Sequence, residues 1–144
     1  MNKKLWIGFI AVFIGISALD YVVHGVILLS AYKSDAMMRL MRPETEMSNL
    51  MWVYYVVNLI VAFFFTLVFS KGYEGKGIAE GVRYGFYMGM IMATPMAYSS
   101  YAMYPMPYSV CLQWFLYGVV TYVVLGILVA LVYGSKPKES AVAA

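Results

Sequence analysis

Long apolar runs alternate with short polar connections along this chain. The runs cover roughly Leu5–Ser30, Leu50–Phe69, Val82–Ala102 and Leu112–Tyr133. At ~1.5 Å per residue, each is long enough to cross a hydrocarbon core of ~30 Å. The connections are a polar stretch from Tyr32 to Asn49, a glycine-rich one from Lys71 to Gly81, and Tyr104-Pro105-Met106-Pro107. In lipid every backbone N–H and C=O must bond within its own segment, and four strands cannot close a barrel. The pattern therefore predicts an all-α integral membrane protein. It forms a four-transmembrane-helix bundle, one membrane domain over residues 1–144, with a polar tail from 134 to 144.

The first connection holds more than a turn. Ser34-Asp35 reads as a helix start, and Met37, Met38, Leu40 and Met41 form an apolar stripe suited to a short interfacial helix. A short loop with a frayed helix fits the same residues. Arg42-Pro43-Glu44 ends the stripe, and Pro43 suits the first turn of the second span. The Met-Asn-Lys-Lys start has the look of a signal peptide, but the apolar run continues through Val26-Ile27-Leu28-Leu29, too long for a signal core. A retained first span is expected.

Composition narrows the class. The chain is 63% hydrophobic and 12% charged, against roughly half and a quarter in ordinary soluble domains. That excludes a disordered chain, a nucleic-acid module and a water-soluble enzyme. The placement of charge says more than the net of +3. Lys3, Lys4, Lys71, Lys76, Arg83, Lys136 and Lys138 fall on one side of the four runs, and Lys33, Arg39 and Arg42 on the other. The excess predicts both termini on the cytoplasmic side of an inner membrane.

Small residues mark the third run. Gly77, Gly81, Gly85 and Gly89 recur every four residues and continue as Ala93 and Ala97, while Gly126, Ala130 and Gly134 repeat the spacing in the fourth run. Such stripes let helix backbones approach closely, inside the fold or at a dimer seam. A stripe lining a ligand groove is the alternative.

One acid stands apart from the other charges. Asp20 lies about 15 residues past Leu5, roughly 22 Å along a helix. The only histidine, His24, follows at i+4 on the same face. An acid at mid-membrane costs about 2.5 to 3.5 kcal/mol on insertion scales, and no Lys or Arg lies at that depth to offset it. The pair could share a proton, or burial could keep the acid neutral. Asn58, Thr94, Tyr98, Tyr117 and Thr121 fall at similar depth, and Pro95 should kink the third run there. Two readings follow: a polar pocket with Asp20 at its floor, or an interhelical hydrogen-bond network that fixes packing.

Of twelve methionines, eight collect on or near the outer face: Met37, Met38, Met41, Met47, Met51, Met96, Met103 and Met106. The pairs Met38, Met41 and Met103, Met106 have a spacing that suits Cu(I), though methionine is more often an adaptable core filler. One cysteine, Cys111, cannot close a disulfide within the chain. No phosphate loop, zinc spacing or nucleophile arrangement is present, so no cofactor and no catalytic residue is expected.

The motifs Leu19-Asp20-Tyr21-Val22-Val23-His24-Gly25 and Ile78-Ala79-Glu80-Gly81, in a four-run layout, resemble the short four-span bacterial membrane proteins of domain-of-unknown-function family 1761. The resemblance implies a similar fold and supplies no activity. Two functional expectations remain. One is a non-catalytic accessory or assembly subunit of a larger membrane complex, such as a respiratory one, with other subunits or a second copy as partner. The other is a homodimeric proton-coupled small-solute transporter or channel that uses Asp20. In both, the lipid bilayer is a partner and nucleic acid is not.

Overall fold

The computed structural model describes residues 3–134. Most of the polar tail, with Lys136 and Lys138, lies outside the described residues. The protein is all-helical, and three of its helices are long and apolar enough to cross a membrane: Lys3–Ile27, Met51–Gly72 and Tyr108–Tyr133. In chain order the α-helices are α1 (Lys3–Val22), α2 (Leu29–Tyr32), α3 (Asp35–Met38), α4 (Glu44–Asn49), α5 (Met51–Gly72), α6 (Ile78–Thr94), α7 (Ser100–Met103) and α8 (Tyr108–Tyr133). A π-helical turn, Val23–Ile27, prolongs α1, and a second, Pro95–Ser99, joins α6 to α7.

Several ends differ from the sequence reading, each for a local reason. Helix α8 begins at Tyr108 rather than Leu112, because Pro107 already holds the extended φ of −60° and ψ of 135° that precedes a helix. It stops at Gly134, whose φ of 75° ends the helix in a conformation other residues resist, with its N–H on the Ala130 carbonyl at 2.8 Å. Helix α6 begins at Ile78 rather than Val82. Two charged residues, Glu80 and Arg83, hid its first turn from the hydropathy pattern. Buried Glu80 folds back on the connection, accepting from the backbone N–H of Glu74 at 2.6 Å and of Lys76 at 2.8 Å. Gly75 and Gly77 supply the positive φ values this tight loop needs. Glu74 in turn meets Lys76 and, at 3.0 Å, Arg83. These hydrogen bonds hold its carboxyl below the usual carboxylate range.

Pro43 does not start the second span. It precedes the short helix α4, and α5 begins only after a bend at Leu50, with φ −101° and ψ 1°. The Ser34 hydroxyl does not cap α3 either, since it donates to the Ala31 carbonyl at 2.8 Å. The third apolar run is interrupted. Helix α6 has 17 residues, a rise of about 26 Å, and Pro95 then forces the π turn because it has no N–H to give.

The long helices pack in the spatial order α5, α1, α8, α6, with the α6–α8 crossing the most extensive. Gly81, Gly85, Gly89 and Ala93 are buried along that crossing. A Cβ added at Gly89 would lie 2.9 Å from the Val119 Cα, and one at Gly126 would lie 2.9 Å from the Gly85 nitrogen. The small-residue stripe therefore seats one backbone on the other within this chain. Gly77 falls outside it as the residue preceding α6. Val12, Ile16, Phe65, Phe69, Leu125 and Val129 fill the main core. Helices α5 and α6 meet where Tyr84 packs on Phe65 and Phe69, its hydroxyl donating to the Phe65 carbonyl at 2.5 Å. At the same end Lys4 donates to the Tyr133 carbonyl at 2.6 Å. This is called the terminal end below. The opposite end holds a smaller cluster of Met37, Ala97, Met106, Val110 and Cys111.

Candidate functional site

The site is built from the last α-helical turn of α1 and the π turn that follows it. A π turn takes one extra residue, so it re-aims the side chains beyond it. His24 lies in this turn, whose end is fixed by the Leu28 N–H on the Val23 carbonyl at 2.8 Å. The chain then bends at Leu28, with φ −88° and ψ −1°. A straight helix would carry Tyr32 about 12 Å beyond His24 along its axis. The bend instead brings Tyr32 back, so that the two rings lie edge to edge with centroids 6.0 Å and planes 5° apart.

A relay of hydrogen bonds results. The Trp114 indole N–H donates to the Tyr32 hydroxyl oxygen at 2.7 Å, and that oxygen lies 2.5 Å from His24 Nδ1. Indole can only donate, so the Tyr32 oxygen accepts from it. The short contact with His24 Nδ1 carries one proton between the two side chains, and the histidine tautomer sets its direction. Burial pushes the Tyr32 hydroxyl up to about 12, against the opposing pull of Trp114.

Asp20 has different partners. Asn58, 4% exposed on α5, donates from Nδ2 to Asp20 Oδ2 at 3.2 Å, and the Tyr54 hydroxyl lies beside both. Among the described residues no hydrogen bond joins Asp20 to His24. The two remain close enough to feel each other's charge. No ion pair of the described residues includes Asp20.

Two cavities flank this group. The first, of about 650 Å³, lies between α1, α5, α6 and α8, and Asp20, His24, Asn58, Tyr117 and Thr121 all line it. It extends about one helical turn past Asp20 toward the terminal end, to Ile16 and Val61. Asp20 is thus on the wall of the cavity and not at its floor. The second, of about 750 Å³, lies beneath the segment running from α2 to α4, with Lys33 and Arg42 among its lining residues and Ser17 deeper in. Asp20, His24 and Tyr54 line both cavities and form the partition between them.

Some expected members lie elsewhere. Thr94 and Tyr98 do not line the first cavity. The π turn begins just after Thr94 and carries Tyr98 against Phe115, with ring centroids at 5.6 Å. Tyr32, Tyr54 and Trp114 were not expected. Interfacial belts claim most aromatics in such a chain, and only the bend at Leu28 shows that Tyr32 turns inward. Of the methionines, Met38 and Met41 line the second cavity, whereas Met103 is exposed and Met106 buried beside Met37. Among the described residues no group of three His, Cys, Asp or Glu side chains could hold a metal ion. Cys111, the only cysteine, is buried, and its thiol donates to the Ala97 carbonyl at 3.5 Å.

The arrangement can bind. It offers an apolar, partly aromatic chamber with one carboxyl group, one carboxamide and a fixed imidazole on its wall. No family model, curated protein or solved structure matches the chain.

Proposed function

We propose that this protein binds and carries a small solute across the cytoplasmic membrane, with the cavity around Asp20 as its site. The observation that carries the reading is a carboxyl group on the wall of a 650 Å³ intramembrane cavity with only neutral hydrogen-bond partners. A cavity of that size with a few convergent polar groups has the form of a small-molecule site. Asp20 takes the solute's polar group, and a proton on Asp20 replaces it when the solute leaves.

The same proposal takes α6, the π turn and α7 together as a fourth span. The helical path from 78 to 103 supports it, with Glu80 and Arg83 confined to its first turns. Both termini face the cytoplasm in this reading. Lys3, Lys4, Lys71, Lys76 and Arg83 belong to the terminal end of the bundle and Lys33, Arg39 and Arg42 to the other, an excess that supports this orientation. The glycine stripe, one ground for expecting a partner subunit, is occupied between α6 and α8. The accessory-subunit expectation therefore loses that support.

Thermal unfolding of the purified protein in lipid nanodiscs tests the proposal, using dodecylamine, dodecanol and dodecanoate in turn. A ligand at a hundred times its Kd stabilises the folded state by about 2.7 kcal/mol. At least one of the three should raise the midpoint saturably, and Asp20→Asn should reduce that gain. Three flat titrations would overturn the reading.

A further inference from the structure

Asp20 raises a question of charge that neither cavity answers from within. No Lys or Arg lines the first cavity. In the second, Arg42 faces Glu46 at 3.3 Å, and Lys33 belongs to the polar segment beyond α2. Asn58 offers a dipole at 3.2 Å but no charge. An ionised carboxylate in an apolar chamber needs a cation to offset its lost hydration.

The chamber's walls suit such a cation. Tyr54, Trp114, Tyr117 and Tyr122 line it, and aromatic faces attract a positive group within ~6 Å of the ring centre. Six more lining residues are aliphatic: Ile16, Val23, Leu50, Val53, Val57 and Val61. An anionic head would meet Asp20 as a like charge.

The chamber also has a side opening. At the terminal end Phe65, Phe69 and Tyr84 close the space between α5 and α6. Beyond them the cavity separates the two helices. Val57 on α5 and Met96, just past α6, line the cavity yet are 49% and 58% exposed. Val53 and Met92 share this double character. These four exposed side chains border the gap between α5 and α6 where the two helices part.

We infer that the first cavity takes a hydrophobic molecule bearing a single protonated amine, which enters sideways from the lipid between α5 and α6 and sets its cation against Asp20. This rests on the solute-site reading above and names the ligand class for that site.

Trp114 provides the test, because it lines the cavity. With Trp6→Phe and Trp52→Phe it becomes the sole indole of the three in the chain. Bromododecylamine, bromododecanol and bromododecanoate are titrated against its fluorescence in nanodiscs. The amine should quench saturably at a concentration about tenfold below the alcohol, as expected for a charge-assisted contact. The carboxylate should be the weakest of the three. Asp20→Asn should bring the amine to the alcohol's level. If that variant does not fold, the headgroup ranking in the unsubstituted site decides alone. Val57→Phe with Met96→Phe should slow the approach of the amine's quenching to its plateau, compared at concentrations that saturate each protein. Equal potency of amine and alcohol at the unsubstituted site overturns the cation assignment and leaves the solute site standing. No saturable quenching by any probe overturns both. An unchanged rate in the doubly substituted protein overturns lateral entry.

Discussion

The Tyr32 hydroxyl is the joint between α8 and the end of α1, and its removal has a calculable cost. Tyr32→Phe keeps the ring beside His24 but deletes the oxygen bonded to both Trp114 and His24. The indole N–H loses its acceptor and His24 Nδ1 its partner. A polar group left unpaired in a fully buried site costs about 1 to 3 kcal/mol. Tyr32, His24 and Trp114 are all only partly buried, and interhelical hydrogen bonds measured in membranes average about 0.6 and reach about 1.7 kcal/mol. The expected loss for Tyr32→Phe is therefore about 1 to 2 kcal/mol over the two bonds. A double-mutant cycle isolates one of them. Tyr32→Phe and Trp114→Phe, singly and together, are followed by circular dichroism during reversible unfolding in mixed micelles with rising dodecyl sulfate. The coupling energy should be about 0.6 to 1.7 kcal/mol. A coupling indistinguishable from zero would refute the relay, since the two side chains would then act independently. His24→Gln coupled with Tyr32→Phe checks the second bond in the same way.

Two further outcomes follow from the packing and from the α5–α6 connection. Gly126→Ala places a methyl group 2.9 Å from the Gly85 backbone nitrogen, which cannot swing aside. Overpacking of this kind costs about 1 to 3 kcal/mol, whereas Gly72→Ala meets nothing within 4 Å and should be neutral or mildly stabilising. Unfolding midpoints of the two variants compare them directly, and equal stability would contradict a backbone-to-backbone crossing. At the α5–α6 loop, Glu74 is held below its usual range by Lys76 and Arg83. A carboxyl group lowered on folding stabilises the fold above its unfolded value, and that contribution fades as pH falls through the lowered one. The protection factors of the amides in residues 73–77, corrected for the intrinsic exchange rate at each pH, should therefore fall as the solution is acidified. Because Glu74 is fully exposed, the effect is small and should weaken in salt. Glu74→Gln should remove most of this pH dependence, and an unchanged profile in that variant would count against the ion pairs.

What could be read before folding was set by periodicity and spacing. The apolar runs gave three membrane-length helices to within a few residues, because lipid leaves the backbone no other way to satisfy itself. The four-residue spacing of Gly81, Gly85 and Gly89 put them on one face, since that face is a property of any α-helix. Asp20 stood out because a charge at that position has no local remedy. The sequence could not say which neighbours would provide one. Asn58 is 38 residues away and Trp114 lies 82 residues from Tyr32, and such pairings depend on which helices become adjacent. The direct pairing of Asp20 with His24, attractive at i and i+4, gave way to those distant partners. A π turn and a bend at Leu28 re-aimed the end of α1, and no simple spacing rule announces either. Local periodicity thus determined the helices and the exceptional residue. Only the tertiary structure decided the partners of that residue and the two cavities it divides.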